Sequence, residues 1–215
     1  MIKINKTDDP LFHVDFKKKT TPKNWDDYSD KNIKDVRQKG IKVKLKAHMI
    51  EQEQDGYCPY CERKIAINNS HIEHIEPKHL ASKFKDYDNL LASCNYPETC
   101  GAAKKGKFSP NFLNPVACQP MEILTYDLDT GEIQPLEEDA RTITFKQANE
   151  TIETLQLNEP NLLNTRKKFL VEIGQTVQCM DTDDVENYLT YLIDDKQPFK
   201  MMLKQQLLEN HELIN

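Results

Sequence analysis

The chain has 215 residues, 30% of them charged, and a formal net charge of −6. This length allows a hydrophobic core in one or two domains, and no run approaches the roughly 18 apolar residues that a membrane-spanning helix requires. The first residues lack the apolar stretch of a secretory signal. We therefore expect a cytoplasmic protein without membrane contact.

The charge is divided unequally along the chain. Residues 1–110 carry 21 Lys and Arg against 16 Asp and Glu, whereas residues 111–215 carry 8 against 19. A basic region attracts phosphate and an acidic region repels it. We therefore expect the first half to contact nucleic acid and the second half to bind a protein, with two solvated faces as the alternative.

Residues 1–56 are predicted to form an N-terminal arm and one helix. Prolines and a polar stretch interrupt any periodic pattern up to residue 30. Apolar residues at helical spacing then predict a helix from about residue 31 to residue 54, weakened at Gly40. The Asp55-Gly56 pair ends this helix, because glycine readily adopts the left-handed cap conformation.

Three further parts follow along the chain. Residues 57–110 contain a cluster of cysteines and histidines and are predicted to form short strands and turns closed by a short helix. Residues 111–145 are an extended connector, in which a turn signal at residues 129–131 between two β-prone runs predicts a hairpin. Residues 146–215 are predicted to be helical and amphipathic, which makes them the expected docking region for a protein partner.

Four of the six cysteines lie close together in the second part. Cys58 and Cys61 have the two-residue spacing of a zinc knuckle, and Cys94 and Cys100 form a second pair with a wider loop. A redox role for the first pair would require a βαβ context, which is missing. We therefore predict a structural Zn²⁺ held by four thiolates, which would contribute about 10–16 kcal/mol of apparent binding energy to folding.

A dense run of histidines and carboxylates lies between the two cysteine pairs. It reads Ser70-His71-Ile72-Glu73-His74-Ile75-Glu76-Pro77-Lys78-His79. The spacing is not that of a zinc-protease helix, and Pro77 favours an extended conformation before it. The run therefore predicts a strand that carries chemical groups and ends near Pro77.

The order of these residues resembles the HNH endonuclease pattern. The matching elements are Cys58-x2-Cys61, Glu73-His74-Ile75-x-Pro77, Asp88-Asn89-Leu90, Cys94 to Cys100, and Lys104-Lys105-Gly106. More narrowly, they are similar to the PtuB-like HNH proteins of Septu anti-phage systems and certain retrons. The resemblance implies an α+β fold with a zinc-stapled ββα-metal core (HNH, or His-Me finger), an N-terminal helix and a helical C-terminal region.

The resemblance also implies roles for individual residues. His74 takes the place of the general base, Glu73 that of a ligand to a catalytic Mg²⁺ or Mn²⁺, and Asn89 that of the asparagine that holds the loop aiming the base. These residue types suit the reaction, because phosphodiester hydrolysis needs a base near neutral pH and a cation with oxygen ligands.

The third position of the pattern is less complete. An Asn or His usually follows the last cysteine, but Gly101 stands there. Asn95 is the nearest substitute as a catalytic and metal-binding residue; otherwise Glu73, His71 and water hold the metal, or activity depends on a partner. Three lysines after this position are expected to contact a nucleic-acid backbone, namely Lys104, Lys105 and Lys107.

The resemblance thus implies a metal-dependent HNH endonuclease that hydrolyses DNA phosphodiester bonds as the effector of an anti-phage defence system. It also implies a PtuA-like ATPase, either a monomer or an oligomer, as the partner that controls it. The alternative is a non-catalytic zinc-binding module that recruits a protein partner or nucleic acid. A zinc hydrolase of small molecules would need an open zinc site, and four cysteines close it.

Overall fold

The computed structural model describes residues 1–80, 83–195 and 197–212. These residues form a mixed arrangement of helices and two small antiparallel sheets. Within the described part, no helix is both long and apolar enough to span a bilayer. The elements are α1 Leu11–Thr20, α2 Ile41–His48, β1 Ser70–His74, β2 Leu90–Cys94, α3 Cys100–Lys104, β3 Leu124–Tyr126, β4 Ile133–Pro135, α4 Ile143–Leu155, α5 Pro160–Val177, α6 Thr182–Asp194 and α7 Lys200–Glu212.

Helix α1 lies in the N-terminal arm that the sequence predicts to be irregular. Pro10 precedes it with a φ of −61°, and proline is tolerated here because the first backbone N–H groups of a helix have no partner within it. His13 and Phe16 are buried on one face, and three lysines occupy the last turn, where the helix dipole favours positive charge. The prediction of an irregular arm was wrong here because the helix is short. Only two buried residues mark its inner face, which is too few to give a periodic pattern in the sequence.

Helix α2 is shorter than the helix predicted for residues 31–54. Gly40 precedes it with a φ of 75°, a left-handed conformation that interrupts any helix arriving from residue 31. The Gly40 N–H donates to Asp30 Oδ1 over 2.7 Å, which holds the break in place. After His48 the chain continues directly into a wider turn of π-helix at Met49–Glu53. The predicted single helix therefore begins only after Gly40 and consists of α2 and this π-helical turn.

Strands β1 and β2 pair in antiparallel register and are followed by α3. Ser70 lies opposite Cys94 and His74 lies opposite Leu90. Every residue of β2 is buried, since α3 packs on the ribbon from one side and the N-terminal region from the other. Strand, loop, strand and short helix therefore follow one another in the segment that carries the cysteines and histidines.

The second sheet is the hairpin β3–β4, which lies where the turn signal at residues 129–131 predicts it. Helices α4 and α5 carry main-core residues such as Leu155 and Leu162, and α6 packs against α7. A smaller cluster of apolar residues holds α5, α6 and α7 together, comprising Ile173, Leu189, Leu192 and Leu203. Phe199, Met201 and Met202 belong to the main core, so the C-terminal helices are continuous with the rest of the protein.

Glu62, in the turn after Cys61, joins distant parts of the chain. Its buried carboxylate accepts hydrogen bonds from Tyr126 Oη at 3.0 Å and from the Met201 backbone N–H at 2.8 Å. The amino group of Met1 lies 2.5 Å from the same carboxylate. The cysteine-bearing turn is therefore tied to the hairpin, to α7 and to the first residue of the chain.

Candidate active site

The four clustered cysteines come together as a buried group. Their sulfur atoms all lie within 4.8 Å of one another, and Cys61 Sγ is 3.7 Å from Cys94 Sγ. Four thiolates around Zn²⁺ at ~2.3 Å would stand about 3.8 Å apart, so this geometry suits tetrahedral zinc. The cysteine pairs bring the start of the segment against the end of β2 and the start of α3. This set could hold a metal ion that staples these elements together.

His74 ends β1 and is almost buried, with 8% of its surface exposed. Its Nε2 lies 3.3 Å from the carbonyl oxygen of Phe84, and the ring of Trp25 packs against it edge-on with ring centroids 4.6 Å apart. Burial lowers the pKa of His74 to about 4, so the ring is neutral at pH 7. A carbonyl oxygen only accepts hydrogen bonds, so Nε2 carries the proton and Nδ1 holds a free electron pair.

Asn89 is buried directly before β2 and hydrogen-bonds to the loop that follows His74. Its Oδ1 accepts from the Glu76 N–H at 2.7 Å, while Nδ2 donates to the carbonyl oxygens of Glu76 and Lys83, both at 2.9 Å. These contacts hold the two ends of the loop that carries the carbonyl of Phe84. Asn89 therefore contacts the backbone around His74, in keeping with the loop-holding part that the resemblance implies for it.

Glu73 points to the opposite side of β1 from His74 and is met by a buried lysine. Lys104 Nζ donates to Glu73 Oε1 at 2.9 Å and to the His74 carbonyl oxygen at 2.8 Å. Burial raises the pKa of Glu73, but the hydrogen bond from His71 and the charge of Lys104 outweigh it, so the pKa is lowered. Glu73 is therefore an ionised carboxylate, as a metal ligand must be.

The predicted contact between Lys104 and a nucleic-acid backbone does not fit this burial. The Lys104 side chain is fully enclosed, because the last turn of α3 lies against β1 and turns the ammonium inward. Lys105 and Lys107 are exposed, as a phosphate contact would require. Lysine spacing alone does not reveal which of three neighbours faces inward, and only the packing of α3 separates them.

His71 and Asn95 lie beside Glu73. His71 Nε2 is 3.4 Å from Glu73 Oε2, and His71 Nδ1 is 2.8 Å from Asn95 Oδ1. Burial lowers the pKa of His71, but the hydrogen bonds with Glu73 and Asn95 outweigh it and the pKa is raised. Asn95 is exposed and contacts the His71 ring, which stands between it and Glu73; the structure does not place Asn95 directly on the carboxylate.

A cleft of about 410 Å³ brings several of these groups to the surface. Glu73, His74 and Trp25 line it, and basic groups surround its mouth, namely Lys78, His79 and Lys105. Glu73 and His74 thus both border one concave surface that also carries basic residues. Such a surface suits a phosphate-bearing ligand.

Sequence reasoning missed two contributors to this site. Trp25 comes from the arm predicted to be irregular, and the Phe84 carbonyl comes from a loop with no motif of its own. A lone tryptophan carries no pattern that ties it to a strand almost fifty residues later. The alternation of β1 was available as a signal for His71, because residues two apart in a strand share a face.

A short central part of the chain matches a known family. Residues 58–96 match the model of the HNH endonuclease family, and this range includes Cys58, Glu73, His74, Asn89 and Asn95. The chain therefore carries, over this range, a segment that matches the HNH endonuclease family.

Two curated proteins are similar over longer stretches. The predicted HNH endonuclease of retron Vc95 from Vibrio cholerae serotype O1 biovar El Tor is 30% identical over 145 residues, covering 60% of this chain and 64% of that protein. The predicted HNH endonuclease of retron Ec83 from Escherichia coli is 25% identical over 234 residues, covering 88% of this chain and 86% of that protein. The first alignment thus spans just under two thirds of its relative.

Proposed function

We propose that this protein is a metal-dependent endonuclease that hydrolyses phosphodiester bonds of DNA, with residues 57–110 as a ββα-metal module. The observation that carries the proposal is the setting of His74. Its Nε2 faces a backbone carbonyl, its ring is neutral, and it lines a cleft with basic groups at the mouth. The HNH domain match over the same residues supports this reading.

His74 is the proposed general base. With the proton on Nε2, Nδ1 takes a proton from water, the water oxygen bonds to phosphorus, and the bond from phosphorus to the departing oxygen breaks. Trp25 and the Phe84 carbonyl fix the ring plane, so Nδ1 has one direction in which to act. Asn89 positions the loop that supplies this carbonyl.

Glu73 is the proposed ligand of the catalytic cation. One carboxylate oxygen is held by Lys104, and the other, Oε2, faces His71. An ionised carboxylate suits Mg²⁺ or Mn²⁺, and such a cation offsets negative charge on the phosphate when it is bound. The four clustered cysteines are the proposed ligands of a separate, structural Zn²⁺.

A plasmid-nicking assay tests the proposal. Zinc-loaded protein should convert supercoiled plasmid to the open circle with Mg²⁺ or Mn²⁺, and His74→Ala should lower the rate by about 10²–10⁴-fold. His48→Ala removes an imidazole outside the cleft and should retain nicking. Nicking by the His74→Ala protein at the rate of the original chain would refute the assignment.

One observation favours the alternative of a non-catalytic zinc-binding module. The Lys104 ammonium already neutralises Glu73 from inside the protein, as an internal cation can do where no metal is needed. The two functions differ in the same assay: a binding module retains duplex binding and zinc, shows no nicking with either metal, and is insensitive to His74→Ala.

We also place the protein in an anti-phage defence system with an ATPase partner of the PtuA type. Support comes from the resemblance to PtuB-like proteins and from relatives named for retrons. A cytoplasmic setting goes with this role. The proposed docking surface is on α5 and α6, where exposed Val171 and Tyr191 lie on elements that also carry Asp183 and Asp184.

Point substitutions are the suitable test of this docking surface. Deletion of residues 146–215 would expose the main core, because α7 begins in that core. We expect Tyr191→Ala combined with Asp183→Lys to abolish co-purification with the co-expressed ATPase while zinc content stays the same. Leu11→Ala, which removes a still more exposed apolar side chain on α1, is the control. Co-purification of the double variant at the original yield would refute the surface.

A further inference from the structure

Gly101 has a neighbour that occupies the space of a side chain. A Cβ at this position would lie 2.4 Å from His71 Nε2, 2.8 Å from His71 Cε1 and 2.9 Å from Glu73 Oε2. These separations are shorter than real carbon contacts, so any larger residue at position 101 would have to displace the ends of the His71 and Glu73 side chains. Gly101 directly follows Cys100, where the HNH pattern usually carries an Asn or His side chain.

The His71 ring reaches this space from β1. Residues 71 and 73 are two apart in a strand, so their side chains leave the same face, toward α3. The ring lies against Gly101, and its Nε2 is 3.4 Å from Glu73 Oε2. An imidazole from the strand thus stands where a side chain from the helix would otherwise point at the carboxylate.

Asn95 sets the orientation of this imidazole. Its Oδ1 accepts from His71 Nδ1 over 2.8 Å, so Nδ1 carries a proton. Nε2 is then the nitrogen that faces Glu73 Oε2, and a bound cation would take the place of the proton between these two atoms. A ring nitrogen that donates to an oxygen while the other faces the metal is the arrangement that metal-binding histidines adopt.

We propose that His71, through Nε2, binds the catalytic divalent cation together with Glu73 Oε2 and supplies the donor that is missing at position 101. That the cation is catalytic rests on the proposed function, whereas its binding by His71 and Glu73 does not. Two neighbouring ligands of an octahedral ion, each at ~2.1 Å, stand about 3 Å apart, close to the observed Nε2–Oε2 separation. One imidazole and one carboxylate form a donor set that suits Mn²⁺.

Calorimetric titration of Mn²⁺ into the zinc-loaded full chain tests the proposal without any substrate. His71→Ala should weaken Mn²⁺ binding by at least about 10-fold, and Asn95→Ala should weaken it by about 10-fold because the ring loses its orienting partner. His71→Leu fills the same space without a donor and should behave like His71→Ala. His79→Ala, an exposed imidazole at the same cleft, should bind Mn²⁺ like the original chain.

A transfer of the donor gives the sharper result. Gly101→His alone should displace the His71 ring and disturb the site, whereas Gly101→His combined with His71→Ala should recover Mn²⁺ binding, since the ring space is then vacant. Binding of Mn²⁺ by His71→Ala and His71→Leu with undiminished affinity would overturn the proposal, as would failure of the combined variant to bind better than His71→Ala.

The two hypotheses fail in different measurements. His74→Ala should retain Mn²⁺ affinity and lose nicking, because its ring lies on the other face of β1. A chain that binds Mn²⁺ through His71 but does not nick DNA would refute the proposed function and support the metal site. Nicking with Mn²⁺ affinity independent of His71 would support the function and refute the site.

Discussion

The ammonium of Lys104 lies 2.9 Å from Glu73 Oε1 and 2.8 Å from the backbone carbonyl oxygen of His74, with no surface exposed to water. The last turn of α3 thus holds together the two adjacent residues of β1 that face opposite sides of the strand. An enclosed charge pair of this kind tolerates the loss of one member poorly, because the remaining charge is left without a counter-ion.

We expect Lys104→Met to lower the free energy of unfolding by about 3–5 kcal/mol, because Glu73 would remain charged beside an apolar chain. Urea unfolding of the zinc-loaded protein measures this. Lys105→Met, the exposed neighbour, should change stability by less than about 0.5 kcal/mol. Lys105→Met should also reduce the salt dependence of the affinity for a DNA duplex. A reduced salt dependence for a folded Lys104→Met protein would contradict the inward placement of Lys104.

Removal of one cysteine of the cluster should abolish zinc binding. Cys94→Ala leaves three thiolates, and because about 10–16 kcal/mol of apparent binding energy depends on the complete site, the protein should lose zinc and most of its folded structure. Metal analysis and circular dichroism measure these losses. Cys179→Ala removes an exposed cysteine outside the cluster and should keep the full zinc content; equal zinc in both variants would argue against the four-cysteine site.

Asn89→Ala should reduce catalysis more than it reduces fold stability. The variant leaves the Glu76 N–H and two carbonyl oxygens without their partner, at a cost of about 1–3 kcal/mol. The loop that carries the Phe84 carbonyl then loses its anchor, so kcat for plasmid nicking should fall with little change in KM. Asn68→Ala, an exposed asparagine, is the control, and an unchanged kcat for Asn89→Ala would count against a positioning role.

Trp25 should report occupation of the cleft. It is the single tryptophan of the sequence and it lies against His74, so its emission is a direct probe of the site. Addition of a DNA duplex without divalent cation should change this emission, and Lys105→Ala should weaken the change. A duplex that binds in a gel shift without altering the emission would place the nucleic acid elsewhere on the protein.

Glu62→Ala should loosen the connection between the cysteine-bearing turn and the C-terminal helices. Its buried carboxylate receives both the Tyr126 hydroxyl and the Met201 N–H, and their loss should lower the free energy of unfolding by about 3 kcal/mol. Tyr126→Phe removes one of these bonds and should cost about 1 kcal/mol. Glu138→Ala, at an exposed position, is the control. Equal stability of all three variants would contradict this role.

Local chemistry in the sequence was sufficient for several features. The two-residue spacing of Cys58 and Cys61 predicts half of the sulfur cluster from local chemistry, because ligands two residues apart reach one ion without long-range packing, and Cys94 and Cys100 supply the other half. The turn signal before Glu132 predicts the β3–β4 hairpin, because a hairpin joins two runs that are adjacent in the chain. The order of the Glu73-His74 pair, Asn89 and the last cysteines predicts the HNH domain that the family match supports.

Tertiary structure alone decided which side chains face one another. The sequence places three lysines after Cys100 on equal terms, and only the packing of α3 on β1 turns Lys104 inward and leaves Lys105 in water. The sequence also leaves open which group fills the space beside Gly101. That group is the ring of His71, which comes from a strand thirty residues earlier. Contacts of that kind depend on the relative placement of whole elements, which arises from burial summed over the core and not from any local pattern.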